Sequence, residues 1–242
     1  MVKEVRSPDA LEFERKMRDG IVESAEALNA SGVDFATFDE SRCNPQFWTL
    51  TNNGGLQLRP SVSSTIGIRD IFQNGHLYAF ECATAMVIVL YKATIGAIGE
   101  QAFNRYFRDL YLWDWNYDDN LRLITTYHKD EMLRGDVVYF KNPDHAPDKP
   151  EWQGENAIKL DNGLYYGHGI GITTAEVIID SLNQERVPGS NTSAYFTDEA
   201  IHPDFEYLQQ LSTKPYLPAG ANRSSRDKVY SRIGVRNYIY KI

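Results

Sequence analysis

Apolar residues recur along this chain at two spacings, and each change of spacing marks out an element. Ser7-Pro8-Asp9 reads as an N-cap with proline at the first helical position, and Leu11, Val22, Ala25 and Leu28 continue it as one or two helices ending near Gly32. Residues 33–38 (VDFATF) read as a strand. FWTL and LQLRP, separated by Asn52-Asn53-Gly54-Gly55, predict a hairpin. A short helix over 66–73 is stopped by Asn74-Gly75. The longest apolar segment starts at Cys82 and predicts a buried helix to about Ile98, punctuated by Gly99. Phe103, Phe107, Leu110 and Tyr111 share one face of a further helix.

The aromatic, acidic stretch WDWNYDDNLRL predicts a solvated loop anchored by its rings, since it lacks the spacing and glycine of a calcium loop. GDVVYF (135–140) is a strand and KNPDHAPDKPEWQ a loop. ENAIKL and LYYGHGIGI flank Asp161-Asn162-Gly163 and predict a second hairpin. Residues 174–186 are helical through Val177, Ile178 and Leu182. The tail beyond Pro203 is mixed, and VYSRIGVRNYIYKI reads as a last strand pair or a frayed end. With no repeat and no low-complexity linker, the expectation is one α+β domain over 1–242, an antiparallel sheet packed with helices.

Composition narrows the function. The chain has 242 residues and a formal net charge of −8 with no basic block, which argues against a nucleic-acid partner. No run reaches the length of a membrane span, and the charged N-terminus lacks an apolar signal region, so neither a membrane nor secretion is expected. Two cysteines, Cys43 and Cys82, make no disulfide framework and no four-thiolate zinc site. His76, His128, His145 and His202 show no metal-ligand spacing, and no glycine-rich phosphate loop is present, so no metal and no cofactor are expected.

The candidate chemistry sits at Glu81-Cys82, where a carboxylate and a thiol open the apolar helix. A helix N-terminus favours a thiolate. The adjacent Glu81 opposes it by like-charge repulsion, unless it is turned away, protonated or used as proton acceptor. The plain alternative is a buried cysteine packed as a small hydrophobe. In the second hairpin, a two-residue turn at Asn162-Gly163 sets His168 opposite Ala157 and makes Glu155 its diagonal neighbour on one face. A three-residue loop puts Glu155 on the other face. Glycines 167, 169 and 171 leave room beside His168 for another segment. A helix-borne cysteine followed by a sheet carrying glutamate and histidine is the layout of a papain-like cysteine acyltransferase or hydrolase.

At these residues the chain resembles the protein-glutamine gamma-glutamyltransferases (transglutaminases) of endospore-forming bacilli. The resemblance rests on LYAFECATAMVIVLYKA, DVVYFKNP, EWQGEN and YYGHGIGI, and extends through FATF, RCNPQFW, IRDIFQNG and LNQERVP over about residues 20–200. It implies a papain-like core related to the bacterial cell-wall peptidase fold, with the nucleophile at a helix N-terminus inside a tunnel. It implies Cys82 as nucleophile, Glu155 as partner carboxylate, Glu81 as a second, partly redundant one, and His168 on the glycine-flanked strand. Trp115, Trp152, Phe35 and Phe103 match the tunnel aromatics. The implied reaction is calcium-independent formation of glutamyl-lysine isopeptide cross-links, with proteins of the spore coat as partners. The implied places of action are the mother-cell cytoplasm and the spore coat surface. A cysteine amidohydrolase of cell-wall peptides, or a non-catalytic coat protein, is the alternative.

Overall fold

The computed structural model describes residues 6–213 and the backbone of 228–233 and 236–241. The chain divides into two compact units, Met1–Ser212 and Thr213–Ile242. In the first, α1 (Pro8–Ala30) leads to β1 (Asp34–Phe35), β2 (Trp48–Leu50), β3 (Leu56–Leu58), α2 (Ser64–Gln73) and β4 (Ala79–Phe80). Then come α3 (Cys82–Ile98), α4 (Glu100–Tyr106), β5 (Tyr111–Leu112), β6 (Leu123–Thr126) and β7 (Val137–Lys141). The last part holds β8 (Gly154–Lys159), β9 (Leu164–Gly167), β10 (Gly171–Thr174), α5 (Ala175–Gln184), β11 (Tyr195–Pro203) and α6 (Phe205–Thr213). In the second unit β12 (Lys228–Ile233) pairs with β13 (Arg236–Lys241), so the tail is a strand pair rather than a frayed end.

The class is α+β, as expected. The main sheet is antiparallel, in the order β10-β9-β8-β7-β11-β6. The helix α3 lies at the centre of the fold, against α1, α2, α4 and β8. Every residue of α3 except Lys92 and Gly96 is buried. That explains why its sequence is apolar all round instead of carrying one apolar stripe. α1 begins as predicted: Ser7 caps it by accepting from Ala10 N–H at 3.2 Å. Farther along, the buried Arg18 guanidinium bonds Asp136 at 2.6 Å and fastens α1 to the start of β7.

Several expectations change. The strand expected over 33–38 shrinks to the two residues of β1, because the parallel ladder with β4 ends at the bond from Ala36 N–H to Phe80 O, and Phe38–Glu40 turns into a 3₁₀ helix. Tyr111 leaves the predicted helical face to pair with Gln57 in a small sheet of β2, β3 and β5. In the second hairpin Asn162 and Gly163 both have positive φ, and Leu164 N–H donates to Asp161 O, which is the expected tight turn. Leu160 nevertheless pairs with Leu164, which leaves Asp161 as an extra residue. This one-residue bulge shifts the register so that Ala157 faces Gly167, not His168. Glu155 and His168 are therefore not diagonal neighbours on one face.

Candidate active site

The site is built at the junction of β4 and α3. Glu81 is the N-cap of α3, and its two carboxylate oxygens accept from Ala83 N–H and Thr84 N–H, both at 2.6 Å. A negative cap is favourable at the positive end of a helix. Burial pushes the Glu81 carboxyl above its usual range while the two N–H bonds pull the other way. Cys82 is the first residue of α3 and only 9% exposed. Its thiol is pushed well up, chiefly by burial and then by the charges of Glu155 and Glu81.

Glu155, on β8, is almost fully buried, and its Oε1 has no hydrogen-bond partner among the described residues. Burial first, and the Glu81 charge second, hold its carboxyl well above the usual range. A hydrogen bond from the His168 backbone N–H opposes them. Gly167 makes this packing feasible: a Cβ there would lie 2.9 Å from Glu155 Oε1. Gly169, at φ +98°, does the same on the other side, where a Cβ would lie 3.0 Å from the Phe35 Cβ. The glycines around His168 thus admit two close approaches, as the sequence suggested.

The His168 ring points elsewhere. Its Nε2 lies 3.1 Å from Phe80 O and 3.2 Å from Asp34 O, and its Nδ1 lies 3.0 Å from the Tyr166 hydroxyl. Two carbonyl acceptors require the proton on Nε2, so Tyr166 donates to Nδ1. Phe80 stacks on the ring at 5.1 Å. Burial lowers the imidazole pKa to about 4, so it is neutral at physiological pH. With both nitrogens engaged, His168 ties β1 and β4 to β9 instead of meeting the sulfur.

What meets the sulfur is Asn156, a residue the sequence reading passed over. Its Nδ2 lies 3.5 Å from Cys82 Sγ. The influences favouring the thiolate come from this residue, through its backbone N–H and its side-chain amide. An asparagine in mid-strand is a poor strand former, and that mismatch was the available signal.

Cys82 and Asn156 open onto a cavity of ≈ 470 Å³. Phe35, Phe38, Trp115 and Tyr139 supply its rings. Its charged lining is acidic: Glu81, Asp114, Glu151 and Glu199, with no lysine, arginine or histidine. Of the four aromatics assigned from the sequence, Phe35 and Trp115 reach the cavity. Phe103 is fully buried in the core, stacked on Phe107 at 4.5 Å. Trp152 packs against a second apolar cluster that includes Ile178 and Leu182, while its neighbours Glu151 and Gln153 line the cavity. Phe103 is thus corrected to a core position, where its ring is fully covered, and Trp152 to a half-buried position packed on that second cluster rather than on the cavity wall.

Among the described residues no helix is long and apolar enough to cross a membrane. A family model described as protein-glutamine gamma-glutamyltransferase matches residues 2–212. A protein of that name from Bacillus cereus (strain 03BB102) is 49% identical over 238 residues, 97% of this chain and 86% of the relative. One from Bacillus mycoides (strain KBAB4) is 45% identical over 237 residues, with the same coverage. A solved structure titled as transglutaminase from Geobacillus stearothermophilus (without C-terminal extension) is 48% identical, with a TM-score of 0.81, covering 85% of this chain and 98% of that one.

Proposed function

The chain belongs to the protein-glutamine gamma-glutamyltransferase family, and we propose that Cys82 is the nucleophile through which it forms glutamyl-lysine cross-links, with Glu155 as the principal proton carrier. The observation that carries this is a buried thiol at a helix N-terminus, opening onto a cavity and standing near the charges of half-buried Glu81 and buried Glu155. The sulfur attacks the carboxamide carbon of a glutamine side chain. The thiol proton passes to the Glu155 carboxylate and from there to the departing ammonia, as the C–S bond forms and the C–N bond breaks. A lysine amine then attacks the thioester; Glu155 takes its proton and returns it to the leaving sulfur.

Burial raises the Glu155 carboxyl and the Cys82 thiol alike, so the carboxylate is a stronger base than an ordinary one facing a weaker acid, and the exchange depends on the two groups sharing one buried site. Glu81 is engaged as the cap of α3, which fits a secondary role. His168 acts as a positioning group, fixing the Phe80 carbonyl immediately before Glu81-Cys82. The ring-lined wall limits water, the competing nucleophile, and favours neutral over charged lysine. The acidic lining draws the lysine ammonium toward the mouth.

The finer fold reading, a papain-like core related to cell-wall peptidases forming one catalytic domain, rests on the resemblance and on a cysteine helix packed beside an antiparallel sheet. The same resemblance, with relatives in Bacillus, supports spore-coat proteins as substrates, the mother-cell cytoplasm and coat surface as the place of action, and independence from calcium. The deciding experiment is intact-mass measurement after incubation with a glutamine peptide and a primary amine. Wild type should form an acyl adduct that amine discharges. Cys82→Ala should form none while keeping its unfolding transition, and adduct or amide product in that variant would refute the assignment.

A further inference from the structure

We propose that the Asn156 side-chain amide, together with the backbone N–H of Cys82, is the donor pair that receives the oxyanion of the tetrahedral intermediate. This rests on Cys82 being the nucleophile. A tetrahedral intermediate on Sγ carries a full negative charge on oxygen, one atom beyond the carbon bonded to sulfur. The cavity offers that charge no cation, because its charged lining is wholly acidic. Neutral N–H groups must therefore hold it, and side-chain amides serve in this way elsewhere.

The supply of such groups near Sγ is short. The N–H groups of Ala83 and Thr84 are taken by Glu81, and that of Ala85 bonds the Glu81 carbonyl at 3.2 Å. The Cys82 N–H has no acceptor among the described residues. On the other side of the sulfur stands Asn156, whose backbone N–H also faces Sγ but is fixed in the strand, and whose Nδ2, at 3.5 Å, is free to turn, with Sγ as its one hydrogen-bond partner among the described residues. A donor in contact with Sγ need only rotate slightly to reach an oxygen carried by the carbon that bonds it. The backbone that carries the amide is held in the sheet: Asn156 sits opposite Tyr139 in the ladder with β7, and the next residue, Ala157, is paired to β9 as well. Glu155 and Asn156 are consecutive on β8, so one strand carries both the proton carrier and the oxyanion donor.

Three variants and two rates test this. Rates of acylation by a glutamine peptide and of alkylation by iodoacetamide are compared, because alkylation needs the thiolate but develops no oxyanion. Asn156→Ala should slow acylation by about 10²–10³-fold with little change in KM, and slow alkylation by no more than about tenfold, the loss of one hydrogen bond. Asn156→Asp keeps the shape but removes the donor, and should slow acylation at least as much. Thermal unfolding close to wild type is expected for both, since the side chain is half-buried and faces the cavity. Acylation within about threefold of wild type in either variant would overturn the proposal. So would an equal loss of both rates in Asn156→Ala, which would leave the amide as a thiolate donor alone. Cys82→Ala separates the two levels: activity surviving there removes the nucleophile and this proposal with it. Activity lost there but kept in both Asn156 variants removes this proposal alone.

Discussion

Acidification should destabilise the fold through His168, by an amount the structure sets. The unfolded imidazole takes up a proton near pH 6.5, whereas burial delays this in the folded state until about pH 4. Between those values the unfolded chain binds more protons, so stability falls as pH falls through the window. The contribution is fully present above pH 6.5 and fully lost below 4. A gap of that size corresponds to about 3 kcal/mol, and to a Tm shift on the order of 10 °C for a unit of this length. Carboxyls raised by burial, Glu81, Glu155 and Asp118, act with the opposite sign. Subtraction isolates the histidine, since His168→Gln keeps all three. Denaturant unfolding of both proteins at pH 7, 5.5 and 4.5 is the assay. The variant should be weaker at pH 7, where it loses the three-way tie among Asp34, Phe80 and Tyr166. Its stability should fall less on acidification, and the two curves should converge. Parallel curves would refute the argument, because they would mean that the folded imidazole titrates normally. A wild-type pH–rate profile with a step near 6.5 that disappears in His168→Gln would refute its neutrality equally.

Cys43→Ala should keep most turnover, since Cys43 is outside the cavity lining, and loss of cross-linking there would displace Cys82 from its role. Glu155→Gln should lower turnover more than Glu81→Ala, and the double variant should be the slowest. Glu81→Ala should also cost about 1–2 kcal/mol of stability as a lost cap, visible in urea unfolding. Trp115→Ala should raise glutamine deamidation relative to amine incorporation, measured as ammonia release against labelled amine on the same sample. Trp152→Ala should leave that ratio unchanged and lower stability instead, and an unchanged ratio in Trp115→Ala would remove it from the wall. Phe103→Ala should cost about 3–5 kcal/mol, read as a fall in Tm, without altering the ratio.

The sequence was most legible where one local rule governs. The length of α3, the cap and proline of α1 and the α+β class all follow from periodicity and end signals. The Glu81-Cys82 pair was visible as an anomaly, although the capping geometry that makes it sensible needed the helix frame. Long-range pairing was not legible. The brief parallel match of β1 with β4 depends on residues far apart in the chain, and a propensity rule cannot see it. The hairpin register turned on one extra residue, Asp161, and that residue decided the geometry between Glu155 and His168. Trp152 and Phe103 share the composition of wall residues, but apolar rings satisfy a core and a cavity equally well in sequence. Asn156 escaped notice because its partner is a sulfur seventy-four residues earlier.

The His168 tie has a consequence for biosynthesis. It joins carbonyls at positions 34 and 80 to a ring at 168, and the cavity wall is not complete until Glu199 and Ile201 are in place. A chain leaving the ribosome therefore displays Cys82 long before the segments that enclose it exist. Contacts so distant in sequence form late, when most of the unit has been synthesised. Until then the thiol is an ordinary exposed cysteine, with neither Glu155 nor Asn156 beside it. A truncated product made by interrupted translation before residue 155 therefore carries Cys82 but not the strand that stands against it.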